Sequence, residues 1–159
     1  MEIVGLRPGD ALWEAVAAYA EGCSWRAGKS LAQQMRESRF QEWERVFTLV
    51  EGASIAGYCT LVEVDCLDVP YRPFIGYVFV GEPYRGRRLS ERLIRAAMAY
   101  AGGLGYPQVY ICTDHIGLYE KYGFRKIGEA PAPWDPAKTE SIFVQETGAG
   151  RRTNVIGEE

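Results

Sequence analysis

The segment "PYRGRRLSERLI", residues 83–94, gathers four arginines around Gly86, between the apolar run "FIGYVFV" and a helix-patterned stretch. Guanidinium groups are planar forks that match phosphate oxygens, often two bonds at a time. A helix leaves its first backbone N–H groups unpaired and carries a positive dipole end, so a loop running into one is a natural anion site. Arg85, Arg87 and Arg88 would add charge to such a loop, Gly86 permits a tight turn, and Ser90 is small and able to cap. The lysine and second glycine of a Walker loop are missing, and so is the G-x-G-x-x-G dinucleotide fingerprint. On these residues alone a phosphate cradle and a solvated basic turn stand side by side.

The rest of the composition narrows the ligand. A chain of 159 residues with a net charge of −3 is one domain's worth of soluble globule, and it is acidic overall. The arginines are therefore a local patch, which argues against a nucleic-acid partner and for a small anion. No stretch approaches a membrane span, and "MEIVGLRPGD" has neither the basic start nor the apolar core of a leader. The expectation is a cytoplasmic protein with no membrane partner. Cys23, Cys59, Cys66 and Cys112 form no C-x-x-C pair and there is a single histidine, so no metal site is expected and the thiols read as reduced and structural.

The elements that must carry the loop follow from periodicity. "EIVGL" reads as a strand, then Asp10 as the N-cap of a helix whose Leu12, Val16 and Tyr19 face the core and which stops at Gly22. A second helix covers "KSLAQQMRES". "RVFTLVEGASIAGYCTLVEV" is two strands turning at Glu51-Gly52-Ala53, and the prolines of "DCLDVPYRP" make a loop. "FIGYVFV" is a central strand by its β-branched and aromatic content. After the arginines, Leu89, Leu93, Ala96, Ala97 and Tyr100 mark the inner face of a helix and Glu91, Arg92 and Arg95 the outer one. "QVYIC" is a strand, "IGLYEKY" a short helix, "GFRKIGE" a strand, "APAPWDP" a loop and "ESIFVQ" the last strand. There is no internal repeat. The result is an α/β arrangement around a mixed sheet, centred on the strand–loop–helix unit that holds the arginines.

Two motifs in this order, "VFVGEPYRGRRLSERLI" and "LYEKYGF", resemble the GCN5-related N-acetyltransferase (GNAT) family. In that family the fourth strand runs into a pyrophosphate loop R/Q-x-x-G-x-G/A, and a later helix carries Y-E-K-x-G-F. Arg85-Gly86-Arg87-Arg88-Leu89-Ser90 occupies the loop here, and the element order agrees over residues 2–145. Arg88 stands where the family has glycine and Ser90 where it has glycine or alanine. A side chain at 88 either blocks the pyrophosphate or swings out and adds charge, and the cationic neighbours favour the second. The asparagine that often precedes the signature tyrosine is absent.

The resemblance implies an α/β fold with a mixed, mostly antiparallel central sheet flanked by helices and splayed fourth and fifth strands. It implies a single N-acetyltransferase domain over residues 1–145, with 146–159 a loose tail. It further implies acetyl-CoA as co-substrate, bound by Val78, Phe79 and Val80 through their backbone and by Arg85, Gly86, Arg87, Arg88, Leu89 and Ser90 at the pyrophosphate. The acceptor amine attacks the thioester directly. Tyr119 takes the signature tyrosine's place, where a phenol can protonate the leaving thiolate, although a core aromatic would look the same. Tyr122 reads as packing.

The amine must lose a proton, and the fourth strand has no carboxylate or histidine to take it. Glu63 and Asp65, read as two acids on one face at the end of the third strand, are the candidates, against a rival in which both are solvated strand-end charges and water relays the proton. An unperturbed imidazole suits a base, but His115 sits at a helix start behind Asp114, a good N-cap, where a structural role is the simpler account. Glu82 reads as a turn residue. In the acceptor region Trp25, Trp43, Tyr71, Glu37, Asp65 and Asp68 suit a cationic amine, and equally an ordinary acidic surface. The partner is expected to be a small-molecule or peptide amine, with a homodimer left open. Two other readings compete with the enzyme: a non-catalytic acyl-CoA-sensing module of the same fold, and an interaction domain whose arginines meet an acidic partner.

Overall fold

Strand after strand follows the β-branched and aromatic runs, and the helices fall where apolar residues recur every three or four positions. The computed structural model describes residues 1–65 and 67–149. The readings for Cys66 and for the tail beyond residue 149 lie outside the described residues. In chain order the elements are β1 (Glu2–Leu6), α1 (Trp13–Gly22), α2 (Gly28–Arg36), β2 (Arg45–Glu51), β3 (Ser54–Val62), β4 (Phe74–Val80), a 3-10 turn (Glu82–Tyr84), α3 (Leu89–Gly103), β5 (Gln108–Thr113), α4 (Leu118–Lys121), β6 (Arg125–Ala132) and β7 (Asp135–Glu146). The strands make one seven-stranded sheet in the order β1-β2-β3-β4-β5-β7-β6. It is mixed and mostly antiparallel, as expected: β1–β2, β2–β3, β5–β7 and β6–β7 run antiparallel, while β4 and β5 are parallel.

The described chain divides into two units, Met1–Val62 with Gly76–Ala97, and Glu63–Ile75 with the residues from Met98 onward. In the first, α1 and α2 turn their apolar faces inward. Val16, Ala17 and Ala20 of α1 and Leu31, Ala32 and Met35 of α2 are fully buried, with Val46 of β2 and Tyr58 of β3. Trp13 closes the cluster, its indole N–H donating to the Met35 carbonyl at 3.0 Å. A Val, Leu or Met side chain removed from water is worth about 1.5–3 kcal/mol, so this layer holds the helices far more firmly than their own propensities do. Gly57 on β3 is required for close approach, since a Cβ there would collide with the Phe79 carbonyl oxygen of β4.

In the second unit the register of β5 on β7 runs from Gln108↔Glu146 to Thr113↔Ser141. Phe74 at the start of β4 pairs with Tyr110, whose ring stacks on Tyr71 at 4.8 Å between centroids.

Several local expectations are corrected. Asp10 does not cap α1, which begins at Trp13 with Leu12 at the N-cap position. Its carboxylate instead accepts the Arg7 N–H at 2.9 Å, closing the Pro8-Gly9 turn behind it. Ser90 lies inside the first turn of α3, not ahead of it. Asp114 does not cap α4, because Gly117 holds that position. β3 ends at Val62, so Glu63 and Asp65 are loop residues and do not share a strand face. "APAPWDP" is the end of a hairpin and not a free loop: Pro131 pairs with Thr139, and Ala132 with Asp135 around a register shift. The prolines are tolerated because β6 is the sheet's edge strand and β7 pairs with β5 only from Ser141 on.

Candidate active site

The residues expected at the cofactor, Val78, Phe79, Val80 and Arg85 to Ser90, all belong to the first unit. β4 carries a break in its pleat just before them: Tyr77 has φ +49, rare for a bulky residue. Its hydroxyl is held by Gln34 Nε2 at 2.8 Å and lies 2.9 Å from Ser30 Oγ, and Trp25 meets its ring edge-on at 6.1 Å. A strand residue in this conformation re-aims the backbone of its neighbours, as a bulge does. Val78, Phe79 and Val80 follow at once. Phe79 is buried, stacked on Trp25 at 6.0 Å and on Tyr58 at 5.4 Å.

Beyond β4 the chain is pinned by Gly81, whose N–H donates to the Ala56 carbonyl at 2.8 Å. The 3-10 turn follows, then Gly86 at φ +86 and Arg88 at φ +54, and α3 starts at Leu89. The family's glycine position is thus a left-handed one here as well, taken by an arginine at a strain of about 1–2 kcal/mol. Arg85, Arg87 and Arg88 are all exposed. Arg85 lies over the Phe79 ring at 5.6 Å and donates through Nε to the Val80 carbonyl at 2.9 Å. Arg87 lies 5.8 Å over Tyr84. Arg88 Nε reaches Glu91 at 2.8 Å, and Arg95 reaches the other oxygen of Glu91 at 3.1 Å. The Arg88 hydrogen bond, with help from Arg95, holds the Glu91 carboxyl below the usual carboxylate range. The loop therefore presents guanidinium groups and the N-terminal turn of α3 on one short stretch.

Tyr119, Glu63 and Asp65 belong to the second unit. Tyr119 is 5% exposed, its ring 6.3 Å from Tyr122, Phe124 and Phe143. Tyr122 packs as expected. Glu63 is half-buried in the loop after β3. Asp65 is brought to β5, where its carboxylate accepts the Cys112 thiol at 3.3 Å. His115 is exposed, and its N–H donates to Thr113 Oγ1 at 3.0 Å, a local turn contact. Of the acceptor-side residues, Glu37 is spent on Gln33 and Arg39, and Tyr71 stacks on Tyr110.

One residue of this unit was not singled out from the sequence. Glu140 on β7 is 7% exposed, and its Oε2 is buried with no hydrogen-bond partner among the described residues. Burial first, then the charges of Asp114 and Asp65, push its carboxyl above the usual range. The available signal was faint: a lone acid opening "ESIFVQ", one step out of an apolar run.

Residues 9–124 match the family described as Acetyltransferase (GNAT) family, so the chain belongs to that family. It is accordingly an acetyltransferase with acetyl-CoA as its acyl donor. The structure is similar to that of an aminoglycoside 6'-N-acetyltransferase complexed with coenzyme A, at a TM-score of 0.72 and 14% identity over 92% of this chain and 97% of that one. It is also similar to a spermidine N-acetyltransferase SpeG chimera from Vibrio cholerae and hSSAT, at 0.65 and 12% over 93% and 98%. A third likeness is to Arabidopsis thaliana NAA60 in complex with a bisubstrate analogue, at 0.63 and 16% over 91% and 98%. No curated protein matches the chain.

Two outcomes are expected from this geometry. Arg88→Gly relieves the left-handed strain and leaves the melting temperature level or higher, whereas Arg88→Val, β-branched at a positive φ, lowers stability by about 1–2 kcal/mol or more. Denaturant melts of the two variants check this, and a Val variant as stable as the Gly one would contradict the strain.

For Glu140, a carboxyl raised in the folded state favours the fold while protonated. That contribution is complete below its ordinary value of 4.5 and is lost as pH rises through the raised one. The melting temperature of the wild type minus that of Glu140→Gln should therefore fall with rising pH across that window. A difference that stays flat would mean that folding does not perturb the group.

Proposed function

We propose that the chain transfers the acetyl group of acetyl-CoA to a primary amine of a small molecule or peptide by direct attack. The observation that carries this reading is the β4–α3 loop, where left-handed Gly86 and Arg88 lead three arginines into a helix N-terminus on an otherwise acidic chain. The residues fit a pyrophosphate. Arg85, Arg87 and Arg88 are exposed donors, Gly86 turns the loop, and Leu89 and Ser90 bring the backbone N–H groups of the first turn. Arg88 exchanges or shares its bond to Glu91 when an anion arrives.

When bound, acetyl-CoA supplies the thioester that the amine attacks. Val78, Phe79 and Val80 offer backbone N–H and C=O groups to the pantetheine arm and to the charge that develops on the thioester oxygen. The Val80 carbonyl has a second lone pair to offer beyond the one Arg85 uses. The Tyr119 hydroxyl gives its proton to the leaving sulfur. Asp65, with Glu63 beside it in the same loop, accepts the proton of the amine. The family match runs through both units, which supports reading residues 1–145 as one catalytic domain; Glu146, read as the start of the tail, is the last residue of β7. We place the reaction in the cytoplasm, in keeping with the free thiols of Cys23 and Cys59. Among the described residues no helix is long and apolar enough to cross a membrane.

Coenzyme A should bind several-fold or more weakly to the Arg85→Ala, Arg88→Ala double variant, since charge-assisted bonds contribute roughly 1.5–3 kcal/mol each. Unchanged affinity at low salt would remove the cradle.

The reaction is tested by thiol release with a panel of amines. At least one primary amine should drive it in the wild type. Tyr119→Phe, which keeps the ring in its aromatic cluster, should lower turnover by about 10²–10⁴-fold with little change in acetyl-CoA affinity. Wild-type turnover in that variant, measured with chemistry rate-limiting, removes Tyr119 from the mechanism. Silence across the whole panel overturns the amine reading.

A further inference from the structure

Tyr77 stands at φ +49 in the middle of β4. A left-handed backbone under a bulky side chain is strained, so contacts outside the strand must favour it. Among them, Gln34 Nε2 donates to the tyrosine hydroxyl at 2.8 Å, and Ser30 Oγ lies 2.9 Å from the same oxygen. Gln34 and Ser30 are four residues apart on α2, which places them on one face of the helix. A phenol oxygen can accept from the amide and keep its own proton for the serine, so both bonds form at once. The tie and the bend imply each other. The backbone angle sets the direction of the Cα–Cβ bond, and an extended Tyr77 would carry its hydroxyl away from α2.

The stretch that follows runs between two fixed points. At its far end the Gly81 N–H donates to the Ala56 carbonyl at 2.8 Å, a contact between backbone groups. At its near end the hold is a side-chain tie from Tyr77 to a helix. Between them Phe79 is stacked on Trp25 at 6.0 Å, and Gly57 leaves room for its carbonyl. All of these residues belong to the first unit. The far hold belongs to the sheet and needs no bend, whereas the near one exists only with the bend in place.

We infer that Gln34, with Ser30, is a positioning residue for acetyl transfer: through the Tyr77 hydroxyl it holds the bend that aims the peptide groups of Val78, Phe79 and Val80 at the acyl donor. The inference rests on the reading that those peptide groups meet acetyl-CoA. It makes donor binding depend on α2 as well as on β4 and the arginine loop. Arg36 of the same helix bonds instead to Glu14 and Glu21 of α1, so the packing of the helix pair can be perturbed separately from the tie.

The test combines amide NMR and calorimetry on the full chain, with coenzyme A as the probe and no amine present. In the free protein, Tyr77→Phe and Gln34→Ala should both shift the amide signals of Val78, Phe79 and Val80. Each should weaken coenzyme A roughly three- to tenfold, the range of one net hydrogen bond, and the double variant should be no weaker than the worse single one. Gln34→Glu, whose carboxylate can accept the tyrosine's proton, should recover most of the affinity. Arg36→Ala is the control and should leave coenzyme A affinity unchanged, whatever it does to the melting temperature. Amides unmoved in both variants, or losses that simply add, overturn the inference. An equal loss in Arg36→Ala overturns it too, because general loosening of the helix pair then accounts for the effect. Amides that move while coenzyme A affinity stays the same also overturn it, and remove Val78, Phe79 and Val80 from the donor site. The expected affinity pattern in a protein that acetylates no amine upholds the tie and overturns the acetyl-transfer reading. Amine turnover with unmoved amides does the opposite.

Discussion

Between Tyr77 and Arg88 the backbone twice adopts a left-handed conformation on a residue other than glycine. Strain of this kind costs on the order of 1–3 kcal/mol per residue, against a net stability of about 5–15 kcal/mol for a whole domain. It persists only where the surroundings determine it. Tyr77 is fixed by Gln34 and Ser30 of α2 and by the Trp25 ring, and Gly57 leaves room for the Phe79 carbonyl two residues on. The buried layer under α1 and α2 is therefore more than a core. It also holds the bend of β4 at Tyr77 in place.

Electrostatics is the second constraint, and it works locally. The chain is acidic, yet its arginines are concentrated at the start of α3. Arg88 and Arg95 share Glu91, so part of the positive charge is neutralised until an anion competes for it. These are exposed ion pairs, worth about 0–1 kcal/mol at most. The second unit shows the reverse pattern. There burial, and after it the charges of Asp114 and Asp65, raise the Glu140 carboxyl above the usual range.

Part of this was legible in the chain of residues. "RGRRLS" at a strand-to-helix boundary advertises an anion loop because every feature needed for it is local: charge, a glycine and a following helical period. The strand β4 and the inner face of α3 were equally plain, since apolar periodicity reports burial directly. Helix starts were read less well. Asp10 and Asp114 look like caps from residue type, but each side chain's partner depends on how the neighbouring turn closes, and that is settled by Gly9 and Gly117 at positive φ. The "APAPWDP" hairpin was hidden for a related reason. Proline forbids a strand only where its missing N–H would be needed, and the need depends on whether the strand lies at an edge.

By itself, then, the sequence determined the order of elements, the cationic loop and the two motifs that mark the family, because these depend on residues close together in the chain. Tertiary structure alone decided three other things. It put Tyr77, a good strand former, into a left-handed bend that no residue type announces. It took Glu63 and Asp65 off the strand face on which alternation had placed them, since β3 ends at Val62. It brought Asp65 and Asp114 to Glu140 across 75 and 26 residues of chain respectively, as read from their numbers. A carboxyl's pKa and its role follow from its neighbours in space, and packing of distant segments chooses those neighbours.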